Sequence, residues 1–126
     1  MPHLTAHLAE DRLAGNEPAL IAALTDAVVS VYGEWARDLV SVRLAGVPAG
    51  RFAQGGKAVD TNVSVVLGVR AGVFDRPDAA RITARLGAAL TDAITRVVGD
   101  DLRAGTMVEL VASPQERTFV GGALAV

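Results

Sequence analysis

The sequence predicts an α/β (α+β) fold: a strand–helix–strand unit used twice, giving a four-stranded sheet with two helices on one face and short hairpins. Three observations predict it. A gapless shift of 66 residues maps Ala23-Leu24-Thr25-Asp26-Ala27 onto Ala89-Leu90-Thr91-Asp92-Ala93, and Gly33 onto Gly99. The same shift maps Pro48 onto Pro114, Arg51 onto Arg117 and Gly55-Gly56 onto Gly121-Gly122; in all, 14 of the 34 positions from 23 to 56 are identical. Second, each copy carries one stripe of apolar residues at helical spacing between two β-prone runs. Third, 126 residues is the length of one domain, read here as residues 1–126 with repeats at about 2–57 and 61–126.

The elements follow in order. Residues 2–8 alternate, with His3, Thr5 and His7 on one face and Leu4, Ala6 and Leu8 on the other beside Pro2. Residues 9–16 read as a loop ending in the N-cap candidate Asn16, with Pro18 in the first turn. Leu20, Leu24, Ala27, Val28 and Val31 form one helical face that Gly33 closes. Residues 39–45 read as a strand, 46–50 as a turn, and 51–56 as a short extended segment closed by a glycine pair. The pattern restarts with a strand at 62–69 and a loop at 72–76, with Asp75 as a cap and Pro77 at the first helical position. Ile82, Leu86, Leu90, Ala93 and Val97 form the second stripe, ended by Gly99. A strand at 107–112, a turn at Ser113-Pro114 and an extended segment at 118–126 complete the chain. A right-handed crossover makes the two strands of each unit parallel. Two helices cover only one sheet face, so the other face is expected to bury itself against further copies of the chain, with the hairpins capping neighbouring sheets.

Composition narrows the function classes. Net charge is −2, with no basic block, which argues against nucleic acid as a partner. There is no cysteine, hence no disulfide framework and no thiolate zinc site or nucleophile. No stretch is long and apolar enough for a bilayer span and no signal peptide precedes the first strand, so a cytoplasmic location without membrane association is expected.

The residue with chemical promise is the second. Methionine aminopeptidase trims a Met-Pro start, which would leave Pro2 as a free secondary amine at a sheet edge, a general base that calls for neither metal nor cofactor. The other candidates have plain readings of their own. Arg12 in a polar loop reads as a solvated charge. Arg43, within Val42-Arg43-Leu44, fits a solvent face equally well, and its repeat partner is Glu109. Phe52 reads as core. Gly55-Gly56 is a turn device, since no Lys-Ser/Thr follows. His3 and His7 stand roughly 13 Å apart along a strand and cannot share a metal.

The duplicated strand–helix–strand, the proline behind Met1, Glu10-Asp11-Arg12, Ser41-Val42-Arg43 and Gly50-Arg51-Phe52 before Gly55-Gly56 resemble the tautomerase superfamily. The first half is most similar to 4-oxalocrotonate tautomerase. The full layout is similar to cis-3-chloroacrylic acid dehalogenase, through Asp11-Arg12-Leu13, Thr25-Asp26-Ala27, Pro48-Ala49-Gly50 and Gly68-Val69-Arg70. The resemblance implies a tautomerase-like β-α-β fold and a homotrimer. It also implies a cofactor-independent isomerase acting on a small carboxylate substrate, a 2-oxo or 2-hydroxydienoate acid. Residue by residue, it makes Pro2 the general acid/base and Arg12 the holder of a substrate carboxylate. Arg43 polarises the substrate's carbonyl or carboxyl end, and Phe52 forms the water-excluding wall. Arg70 falls in the stretch matching the dehalogenase's carboxylate-binding arginines, and Arg76 follows in the loop. The chain also departs from those patterns. Val28 stands where the dehalogenase has histidine, Glu109 lies near its tyrosine position, and Glu116 is displaced from its glutamate. Glu34 falls near the lysine position of the macrophage migration inhibitory factor branch. Two further readings stay open: a hydratase, dehalogenase or decarboxylase of a C3 acid, and a non-catalytic trimeric binding protein if Met1 is retained.

Overall fold

The computed structural model describes residues 2–125; the trimming of Met1 and the last residue of the closing segment lie outside them. The central sheet has the order β2-β1-β5-β6, built from β1 (His3–Ala9), β2 (Ser41–Val47), β5 (Val63–Arg70) and β6 (Thr106–Ser113). β1 runs parallel to β2 and β5 parallel to β6, while β1 and β5 meet antiparallel at the centre. This is the pairing that two parallel crossover units related by a pseudo-twofold must give.

The repeat is exact where the sequence repeats. The small hairpin β3 (Ala53–Gln54) and β4 (Lys57–Ala58) recurs 66 residues later as β7 (Phe119–Val120) and β8 (Ala123–Leu124). A 3₁₀ turn at Glu34–Leu39 recurs at Asp100–Gly105. Even an ion-pair network repeats. Arg37 donates to Asp26 at 2.8 Å and to Glu34 at 2.6 Å, and Arg103 pairs with Asp92 at 3.0 Å and Asp100 at 3.4 Å. Asp26 and Asp92 thus tie each helix to the turn that follows it. The first strands follow a different shift. β1 pairs with β2 at an offset of 38 and β5 with β6 at 43, so moving β2 onto β6 by 66 places β1 on β5 at a shift of 61. Val63 thus stands where the first unit has Pro2, and Arg70 where it has Ala9.

The core lies between the sheet and the two long helices. Leu4, Ala6 and Leu8 of β1 and Val63, Val65, Leu67 and Val69 of β5 point to one face and are buried. They meet Leu20, Leu24 and Val28 of α2 (Glu17–Tyr32) and Leu86, Leu90 and Ile94 of α3 (Ala79–Val98). Each of these leucine, isoleucine and valine side chains contributes about 1.5–3 kcal/mol on burial. The opposite face is open in the single chain: His3, His7, Ser41, Arg43, Met107, Glu109 and Val111 are exposed there.

Several local expectations needed correction. Residues 10–13 form a helical turn, α1 (Glu10–Leu13), not a loop. Asn16 precedes α2, but its side chain donates to Arg12 O at 2.8 Å instead of capping, and the Gly15 amide is met by Glu17 at 2.8 Å. β2 runs on to Val47, past the expected turn start, because it keeps pairing with β1 as far as Ala9. The second helix starts later than Pro77. A 3₁₀ turn occupies Ala71–Asp75, and Asp78, not Asp75, flanks the helix start. The two 3₁₀ turns after the helices were not anticipated. Among the described residues, no helix is long and apolar enough to cross a membrane.

Candidate active site

Pro2 is partly buried where β1 begins, and its carbonyl accepts a hydrogen bond from the Ser41 amide at 3.0 Å, which pins it to the start of β2. Because β5 runs antiparallel to β1, the end of β5 arrives at the same edge of the sheet. Here a cavity of about 280 Å³ is lined by Pro2, Tyr32, Trp35, Leu39, Val69, Arg70, Val73 and Arg76. Its walls have two origins. The C-terminus of α2 and the following 3₁₀ turn supply Tyr32, Trp35 and Leu39. The end of β5 and its longer connection supply Val69, Arg70, Val73 and Arg76. The five extra residues in that connection, the difference between the shifts of 66 and 61, bring Arg76 to the cavity.

The electrostatics are cationic. Arg70 has no ion-pair partner among the described residues. Arg76 is shared with Asp78 through contacts of 3.0 and 3.2 Å. Burial alone would raise the Asp78 carboxyl, but the hydrogen bond and charge of Arg76 outweigh it and hold the group below the ordinary carboxylate range. Desolvation pushes the Tyr32 phenol upward, against the opposing charge of Arg76, so it stays neutral near pH 7. The Tyr32 oxygen is buried without a hydrogen-bond partner among the described residues. A second cavity of about 430 Å³ adjoins through Arg70, Val73 and Arg76 and adds Gln115 and Glu116.

Of the six residues singled out from the sequence, Pro2, Arg70 and Arg76 share this cavity. Arg12, Arg43 and Phe52 lie elsewhere in the same chain. Arg12 follows the far end of β1, roughly 20 Å from Pro2 at the rise of a strand. Its guanidinium is bound to both carboxylate oxygens of Asp101, one at 3.1 Å, and to Val98 O at 3.3 Å. Arg43 pairs across from Thr5 on the open sheet face, opposite the helix-covered face to which Val69 belongs. Phe52 lines a broader cavity of about 790 Å³ at the far end, together with Val63, Asp101 and Gly105. That cavity is the pseudo-symmetric twin of the Pro2 cavity. Val63 replaces Pro2, Asp101 replaces Trp35 and Gly105 replaces Leu39. Tyr32, Trp35 and Leu39 were missed as site residues. The available signal was an exposed-type aromatic just beyond the helix-ending Gly33, in a chain with one tryptophan.

Paired β-α-β units around a pseudo-twofold, with Pro2 sharing a cavity with Arg70 and Arg76, describe a class by architecture. No protein-family model and no curated protein sequence matches the chain. Solved structures do match along nearly the whole chain. F6 fused 4-OT wild type, an asymmetric trimer, gives a TM-score of 0.83 at 25% identity, covering 97% of this chain and 94% of that one. Native fused 4-OT gives 0.82 at 26% identity over 97% and 94%. Pt0534 inactivated by 2-oxo-3-pentynoate gives 0.81 at 22% identity over 98% and 94%. The fold is that of the tautomerase superfamily.

Proposed function

We propose that this protein is a tautomerase-type isomerase that moves a proton on a small 2-oxo or 2-hydroxydienoate acid. The Pro2 amine, freed by loss of Met1, takes the proton from one position of the conjugated acid and returns it at another. The observation that carries the reading is the convergence of Pro2 with Arg70 and Arg76 in one small cavity. Apolar walls and neighbouring guanidiniums both favour the neutral amine, which a base near pH 7 must be. Starting from an α-amine at about 7.7–8.0, a modest depression suffices. Arg70 grips the substrate carboxylate, and the cations stabilise the charge that develops on the enolate.

The open sheet face and the exposed side chains of Phe119, Val120 and Leu124 support self-association, and several fused 4-OT neighbours are solved as trimers, so we read the assembly as a homotrimer. In that assembly Arg12, Arg43 and Phe52 act at Pro2 only as residues of a neighbouring copy. The test is ketonisation of an enol acid by wild-type protein and Pro2→Ala. Activity surviving the substitution sinks the proposal. One observation favours a second reading, hydration or dehalogenation of a C3 acid: Glu116 lines the cavity that adjoins Arg70 and Arg76 and can activate water there. Turnover of a 3-haloacrylate that is lost in Glu116→Gln supports it.

A further inference from the structure

We infer that Trp35 makes the Pro2 cavity select a monoanionic 2-oxo acid with a flat apolar tail, an aryl group or an extended diene, over a small dicarboxylate. The inference rests on the isomerase reading of Pro2 and names its substrate class. Trp35 is 68% exposed, yet it is held in place. Its Nε1–H donates to Tyr32 O at 2.7 Å, and its ring meets that of Tyr32 edge to face at 6.3 Å and 72°. Gly33 lies beneath it with φ at 111°, and a Cβ there would stand 3.0 Å from Trp35 Cδ1. An exposed indole fixed at a cavity wall presents a flat surface at little entropic cost, and aromatic partners stack on it.

The fold does not require tryptophan at this place, since the equivalent position of the second unit is Asp101, a polar residue bound to Arg12. The cations of the cavity come from the β5 side only. On the tryptophan side the one arginine, Arg37, is already occupied by Asp26 and Glu34. The rest of that turn adds no free cation, since Glu34 and Asp38 are carboxylates and Glu34 is held by Arg37. One carboxylate on Arg70 with an apolar tail against Trp35 and Leu39 satisfies both walls.

Trp35 is the chain's single tryptophan, so its emission reports occupancy of this wall without turnover. The probes are 3-phenylpropanoate and glutarate, added to the full-length protein. The expected result is a saturable change in emission with 3-phenylpropanoate at concentrations roughly tenfold below those needed for glutarate. In kinetics, Trp35→Ala is expected to lower kcat/KM for an aryl enol acid roughly tenfold more than for a dicarboxylate enol acid, with Trp35→Phe retaining most of the aryl activity. Equal or tighter binding of glutarate, or equal losses on both substrates in Trp35→Ala, overturns the inference. Activity retained in Pro2→Ala defeats the isomerase reading instead, and the emission experiment is independent of that result.

Discussion

Replacing Arg70 with alanine removes the one cavity cation that has no carboxylate of its own among the described residues. A hydrogen bond to a charged group contributes about 1.5–3 kcal/mol. Since each 1.36 kcal/mol is a factor of ten, kcat/KM for an enol acid should fall roughly 10- to 150-fold. The carboxylate does not itself react, so most of the loss should appear in KM. Arg76→Ala should cost less, under about tenfold, because its guanidinium is already shared with Asp78. The assay is the initial rate of enol decay by ultraviolet absorbance across a substrate series, with thermal melts showing that each variant is folded. An Arg70→Ala enzyme within about twofold of wild type, beside a larger loss in Arg12→Ala, would place the carboxylate site outside this cavity.

Two further predictions concern stability. Gly87 lies inside α3 with nothing within 4 Å of where a Cβ would stand, so Gly87→Ala should raise the unfolding free energy by about 0.8–1.0 kcal/mol. At Gly105 a Cβ would stand 2.5 Å from the Thr61 carbonyl oxygen, which is backbone and cannot swing aside. Gly105→Ala should therefore cost about 1–3 kcal/mol; urea unfolding at one fixed protein concentration measures both. The hydrogen bond from Arg12 holds the Asp101 carboxyl below its ordinary range, and Arg37 does the same for Glu34. Groups depressed in the folded state add stability that is present above their unfolded values, about 3.9–4.3, and lost as pH falls through the lower folded ones. Melting temperature should thus drop between about pH 4.5 and pH 2, less steeply in Asp101→Asn. An unchanged slope would deny the pair that role.

The fold was legible because its two halves share residues where geometry is demanding. Gly33 and Gly99 end the helices at φ of 111° and 132°, and the glycine pairs at 55–56 and 121–122 turn the hairpins with positive φ throughout. Alternation in β1 was legible from its period of two: Leu4, Ala6 and Leu8 are buried while His3 and His7 are exposed. Short helical turns were not legible. Residues 10–13, 34–39 and 71–75 hold too few residues to show a period, and the Arg37–Glu34 pair within 34–39 leaves no periodic signature. Of the site, Pro2 and the two second-half arginines were within reach of sequence reasoning, yet their meeting depends on the antiparallel β1–β5 pairing. Trp35 left only a weak signal, a lone tryptophan after Gly33, because the turn that aims it was unseen, and Tyr32 at the end of α2 read as part of the helix. Arg12 carried a motif match but also a partner, Asp101, that lies 89 residues away and leaves no local signature.

The proposed chemistry requires Pro2 to be a free, nucleophilic amine in a carboxylate-binding cavity. The most direct measurement is mass spectrometry of the intact protein and its peptides after incubation with 2-oxo-3-pentynoate. The expected result is loss of Met1 and one adduct per chain, on the peptide that begins with Pro2, with a much slower reaction in Arg70→Ala. A chain that has lost Met1 yet forms no adduct, or forms it on another residue, contradicts the account.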